Sequence, residues 1–258
     1  MASEPFTTVS DGLDQTVLEV SREISPDDGM YAYGPELYFP AGQTALRYIR
    51  LARLAARADS VDGVDRILDF ACGGGRVMRF LRAAYPDASI TGVELLEGLV
   101  RFCERNFGAT GVVSKPNPAE IELDGEFDVI WSGSLLTHVK KSLWIEFFDL
   151  MASRLASGGV LVFTVYGPHM AAGIRAGEHS LDLTEQQAKE TVREFEETGF
   201  GFRAADQRHE AGFGDCIVSP AWACAQIAET APDLELALYT QRCWLGQDVI
   251  AVTRPASG

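Results

Sequence analysis

From Arg66 to Tyr166 the chain alternates between two kinds of segment, and that rhythm constrains the fold more than any other feature. Short apolar runs, RILDFA, SITGVE, TGVVS, FDVIWSG and VLVFTVY, are separated by longer stretches such as GRVMRFLRAAY, EGLVRFCERNF and KSLWIEFFDLMASRL. The short runs have strand length, and the longer ones carry apolar residues at helical spacing. Strands alternating with helices predict a mainly parallel sheet with helices on both faces, because each crossover must pack back onto the sheet.

The flanks depart from this pattern. Residues 1–30 are polar and acidic, and the first ten are expected to be loose. YAYGPELYFPAGQ (31–43) predicts an ordered loop, and QTALRYIRLARLAARA (43–58) a helix. After Tyr166 the sequence predicts a helix over TEQQAKETVREFEETG, then a glycine- and aromatic-rich segment. A second helix follows at SPAWACAQIAET, with Ser219 as N-cap and Pro220 at its first position. LELALYTQRCW and QDVIAVTRP, almost contiguous, predict a terminal β-hairpin.

Composition narrows the function. The net charge of −15 would repel phosphate backbones and anionic membranes. Five widely spaced cysteines, with no Cys/His cluster, give no metal-ligating pattern and imply reduced thiols in a cytoplasmic protein. The N-terminus lacks the apolar core of a signal peptide, and no apolar run reaches membrane-spanning length.

The chemistry gathers at ILDFACGGGRV, Ile67 to Val77, where a glycine turn follows the first strand of the alternation. A carboxylate, Glu94, ends the next strand, where it can accept hydrogens from ribose hydroxyls. No glycine stands at position 78, so the G-x-G-x-x-G turn that meets a pyrophosphate is missing. Asp69 would oppose a phosphate but suits a cationic group such as an α-ammonium. A ribose, an amino acid and no phosphate together describe S-adenosylmethionine.

These residues resemble the class I S-adenosylmethionine-dependent methyltransferases. ILDFACGGGRV resembles their first motif, VELLEGLV the second and GEFDVIWSGSLLTHV the fourth, and RLASGGVLVFTV resembles the segment leading into strand five. The resemblance covers about 66–166 and implies a seven-stranded, mainly parallel, Rossmann-like sheet with an antiparallel C-terminal hairpin. It divides the chain into an N-terminal cap or lid (1–60) and a methyltransferase domain (61–258), with a cap insertion at about 167–218. One departure is Ala71, where the family has glycine; it is a mild change provided the backbone there does not need positive φ.

The resemblance also implies roles. Asp69, Ala71, Gly73 and Gly75 would lie under the methionine part of the cofactor, Glu94 on the ribose and Leu95 beside the adenine. Asn117 and Ala119 are the expected adenine contacts between strands three and four. Ser132 and Gly133 would face the methionine or the methyl group. Tyr38, with Tyr31 and Tyr33, is a candidate lid over the cofactor, although loop aromatics more often anchor packing.

His138, Tyr166 and His169 follow strands four and five, at the carboxyl ends where parallel sheets carry their sites, and are the candidate catalytic residues. His179 and His209 are expected to face solvent. The Arg47, Arg50, Arg53 and Arg57 stripe reads as a solvated helix face, and Trp131, Trp222 and Trp244 as core. The expected activity is methyl transfer to an O or N atom of a small molecule, such as a secondary metabolite or sugar. A protein that binds the cofactor without turnover, or a nicotinamide-dependent oxidoreductase, are the other readings.

Overall fold

The structure, a computed structural model, describes residues 6–10, 17–56, 63–181, 183–204 and 212–256. Arg57 and His209 lie outside the described residues. In chain order the strands are β1 (Phe6–Ser10), β2 (Val17–Ser21), β3 (Arg66–Phe70), β4 (Ser89–Glu94), β5 (Thr110–Val113), β6 (Phe127–Ser132), β7 (Leu155–Val165), β8 (Phe200–Arg203), β9 (Asp215–Val218), β10 (Glu235–Trp244) and β11 (Gln247–Thr253). The helices are α1 (Pro35–Ala55), α2 (Met78–Ala84), α3 (Glu97–Phe107), α4 (Lys141–Ser153), α5 (Pro168–Ala176), α6 (Glu185–Thr198) and α7 (Pro220–Thr230).

The main sheet has seven strands in the order β10-β11-β7-β6-β3-β4-β5. β3 through β7 pair in parallel, and β11 joins β7 antiparallel and carries β10 as its hairpin partner. The central strands read as continuous apolar runs because both of their faces are covered. Val160 to Val165 of β7 are all buried, as is the whole of β11. One face packs Leu68, Phe70, Ile130, Leu161 and Phe163 against α4 and α7, with Trp144 and Trp222 meeting edge to face at 5.0 Å. The other packs Ile67, Val129, Trp131 and Val162 against α1 and α2.

Local chemistry marks some element boundaries in the sequence. Ser219 accepts a hydrogen bond from the Trp222 amide at 3.1 Å, and α7 starts at Pro220. Trp131, Trp222 and Trp244 are all buried. Elsewhere tertiary contacts decide. The predicted loop at 31–43 is mostly helix: α1 begins at Pro35 and runs through Pro40, whose missing N–H costs one hydrogen bond near the first turns. Phe6–Ser10, expected to be loose, pairs antiparallel with β2. α5 and the β8–β9 pair occupy the segment after β7. The arginine stripe is a solvated face only at Arg47, which is exposed; Arg50 and Arg53 are buried, one over the Tyr85 ring and the other donating to the Gly63 carbonyl.

Candidate active site

The carboxyl ends of β3, β4 and β6 open into a cavity of about 430 Å³. Its floor is the glycine turn: Ala71, Cys72, Gly73 and Gly74 all line it, with Phe70 behind them. Glu94 stands at the edge, with one carboxylate oxygen accepting from the Gly73 amide at 2.9 Å and the other from the Leu95 amide at 2.7 Å. Leu95, Ser114 and Lys115 continue one wall; Leu135, Phe147 and Phe213 supply apolar surface. Arg76 enters from the start of the α2 segment and lies over the Trp244 ring, 5.0 Å from its centroid.

Ala71 sits at φ 63°, in the left-handed region. The alanine therefore carries backbone strain that glycine would not, and the proviso attached to this departure from the family is not met.

A second cavity, of about 440 Å³, adjoins the first. Met30, Arg76, Ser134 and His138 line both. Tyr33, Leu37, Tyr38, Tyr166, Leu181, Asp215, Leu245 and Gln247 complete the second. Ser134 is held at φ 65° by a polar network: its amide donates to Thr164 Oγ1 at 2.8 Å, and Gln247 Nε2 donates to its hydroxyl at 2.9 Å. A strained non-glycine residue, held by surrounding bonds, thus stands at the wall shared by the two cavities.

The N-terminal segment is tied to the glycine turn through Arg79. This fully buried guanidinium donates to the carbonyls of Ser21, Glu23 and Gly75 at 2.6, 3.1 and 3.1 Å, and to the Tyr38 hydroxyl at 3.2 Å. Tyr38 in turn donates to Asp28 at 2.6 Å, and Asp28 lines the first cavity above Gly74. Burial, opposed by Arg79, pushes the Tyr38 hydroxyl far above its ordinary range, so it remains protonated and a donor.

Of the residues anticipated at the cofactor site, Ala71, Gly73, Glu94 and Leu95 line the first cavity and Tyr38 lines the second. The others are placed elsewhere. Asp69 lies beneath the turn, 1% exposed, with Oδ2 lacking a hydrogen-bond partner. Burial pushes its carboxyl up to about 7, with Glu94 adding to the rise and Arg76 and the Met78 amide opposing it. Gly75 is needed for packing, since a Cβ there would collide with the Phe107 ring. Asn117 caps a short 3-10 turn by accepting from the Ala119 amide at 3.1 Å, and neither residue lines the cavity; Ser114 and Lys115 do. Ser132 is wholly buried, and Gly133 and Ser134 reach the wall instead.

Among the catalytic candidates, His138 and Tyr166 share the second cavity, their rings edge to face at 6.1 Å. His169 lies on α5 with its ring 5.8 Å from that of His179, outside the residues lining the two cavities. Asp28, Arg76, Ser134 and Asp215 were missed in the sequence.

Residues 67–159 match the family model described as a methyltransferase domain, and the sheet that carries them has the Rossmann-like methyltransferase fold. Comparison with particular proteins extends this. The chain is 31% identical over 133 residues to a malonyl-acyl-carrier-protein O-methyltransferase of Geobacter sulfurreducens, covering 46% of this chain and 48% of that one. It spans less than half the length of the curated relatives it matches. The amino pentose methyltransferase CalS10 of Micromonospora echinaspora superposes with a TM-score of 0.58 at 15% identity, covering 90% of this chain and 98% of that one. The sugar N-methyltransferase KedS8 of a Streptoalloteichus species gives 0.57 at 19% identity, covering 90% and 94%. At these identities the structural likenesses establish the fold. No described helix is long and apolar enough to cross a membrane.

Proposed function

We propose that this chain transfers a methyl group from S-adenosylmethionine, held in the first cavity, to a small molecule held in the second. The observation that carries the reading is the joint placement of the Glu94 carboxylate and the open glycine turn on one cavity wall. The lining fits the cofactor. Gly73 has φ 55° and no heavy atom within 4 Å of where a Cβ would stand, so its backbone is open to a ligand's close approach. Glu94 Oε1 already accepts from the Leu95 and Leu96 amides, while Oε2, bonded to the Gly73 amide, keeps a lone pair with which to accept a ribose hydroxyl. Leu95, Ser114 and Lys115 would flank the adenine, and Arg76 would meet the carboxylate of the methionine part.

The cofactor, when bound, supplies a methyl group already activated on a sulfonium. The chain's task is then to align the acceptor and exclude water. Met30, Arg76, Ser134 and His138, which line both cavities, would surround the point of transfer, and Tyr38 and Tyr166 would bound the acceptor. The named activities of the relatives, on sugars and on a malonyl carrier, support a small or carrier-bound acceptor with O or N as its target.

The test is release of S-adenosylhomocysteine from S-adenosylmethionine in the presence of a panel of sugars, amino sugars, phenols and acyl thioesters. Acceptor-dependent release abolished by Glu94→Ala supports the reading. Tight cofactor binding with no release across the panel would favour a binding protein without turnover.

A further inference from the structure

We propose that His138 is the general base for a hydroxyl acceptor and that Asp215 is the positioning residue that sets its tautomer. This rests on the methyltransferase reading of the two cavities. Among the described residues, Nδ1 of the His138 ring faces two oxygen acceptors, the Gly214 carbonyl at 3.1 Å and Asp215 Oδ1 at 2.8 Å. A carbonyl can only accept, so Nδ1 must carry the proton. The neutral ring then has its lone pair on Nε2, away from Asp215, in a residue that lines both cavities.

The fold builds this pair on purpose-made pairing between distant segments. Residues 138–140 and 212–214 zip together antiparallel: the Gly214 amide donates to the His138 carbonyl at 2.9 Å, the Lys140 amide to the Gly212 carbonyl at 2.8 Å, and Val139 bridges Phe213. Asp215 follows at the start of β9, itself tied to the end of β7 by the Val218 amide on the Tyr166 carbonyl at 2.8 Å. Asp215 is 2% exposed, whereas the His138 side chain is 28% exposed. A buried carboxylate behind a half-buried imidazole stabilises the imidazolium that forms when the ring accepts a proton.

A neutral amine can attack a sulfonium methyl with its lone pair and lose its proton afterwards. A hydroxyl is too weak a nucleophile unless its proton leaves as the bond forms. A built base therefore points to an oxygen acceptor. The hydroxyl proton passes to His138 Nε2, the oxygen electrons form the bond to the methyl carbon, and the carbon–sulfur pair stays on sulfur, giving an ether and S-adenosylhomocysteine. Met30, Tyr33, Leu37 and Leu245 line the second cavity while remaining 45%, 69%, 52% and 44% exposed. They form an apolar mouth, so the hydroxyl belongs to a molecule with an apolar body.

The experiment is a long-range 1H–15N spectrum of the full chain labelled on histidine, with S-adenosylhomocysteine present and His138→Gln for assignment. We expect Nδ1–H in the wild type and a shift toward Nε2–H in Asp215→Ala, with Asp215→Asn as the near-isosteric control of folding. An Nε2–H wild type, or a tautomer unmoved in Asp215→Ala, overturns the assignment. In parallel, phenol and aniline, and cyclohexanol and cyclohexylamine, are offered as matched acceptors. His138→Gln should lower hydroxyl methylation by about 10²–10⁴-fold while S-adenosylhomocysteine affinity stays within about threefold. Preference for the amines, or a His138→Gln effect under about twofold, also overturns it. Should no pair turn over, the spectrum decides. Failure of the wild type to bind S-adenosylhomocysteine would instead overturn the cofactor reading, which the tautomer does not depend on.

Discussion

Replacing Ala71 by glycine should stabilise the protein. Ala71 holds φ 63° in a turn where Gly73 and Gly75 hold φ 55° and φ 78°. The left-handed conformation costs a residue with a Cβ roughly 1–2 kcal/mol. Glycine removes that strain but gives the unfolded chain about 0.4–1 kcal/mol of extra entropy to lose. The net gain is about 0.5–1 kcal/mol, or about 2–3 °C in Tm for a chain of this size. The two glycines calibrate the argument. Gly73→Ala meets no atom within 4 Å, so it should lose only about 1 kcal/mol, yet its methyl would project into the cofactor cavity and abolish binding. Gly75→Ala adds a collision with the Phe107 ring and should lose more than about 2 kcal/mol. Differential scanning calorimetry of the three variants reads the order directly. A lower Tm for Ala71→Gly, or equal losses at Gly73 and Gly75, would refute the reasoning.

Three further outcomes follow from the same geometry. Arg79→Met should cost roughly 3–5 kcal/mol, because it strips donors from buried carbonyls, and hydrogen exchange should rise at 17–23 and 72–76 together; a rise confined to one segment would contradict the staple. Asp69 contributes a pH dependence of known sign: its folded carboxyl is raised to about 7 from 3.8, so the native state holds the extra proton and stability falls as pH rises through that window. Asp69→Asn should flatten this fall, which is on the order of a few kcal/mol, in melting curves taken from about pH 4 to 7; parallel curves for the two proteins would exclude it. Glu94→Ala should weaken S-adenosylhomocysteine by more than about tenfold, measured by equilibrium dialysis, and should also lower Tm, because it strips the acceptor from the Gly73, Leu95 and Leu96 amides.

The five-strand alternation was legible because its signals are local. Each strand is a short apolar run, and turns such as Tyr85-Pro86 and Gly108 fall at the ends of α2 and α3. The wall of the first cavity was legible for a related reason: a parallel sheet delivers the residues after β3 and β4 to one edge, so Gly73 and Glu94 had to meet. What escaped the reading depends on distant pairing. β8 and β9 are four residues each, too short for a periodic signal, and they pack against α6. Asp215 reaches His138 across 77 positions, through the bridge between residues 138–140 and 212–214. The left-handed backbone at Ala71 and Ser134 has no signature in residue type, since neither is glycine. Asp28 looked like part of a polar loop, because the Tyr38 hydroxyl and Arg79 that organise it lie on α1 and α2.

Calorimetric titration with S-adenosylhomocysteine, beside NAD and with Gly73→Ala and Glu94→Ala in parallel, tests the central claim most directly. The account predicts micromolar binding of S-adenosylhomocysteine to the wild type, lost in both variants, and no heat from NAD. Binding of NAD, or no binding of S-adenosylhomocysteine to a chain shown by its melting curve to be folded, would contradict it.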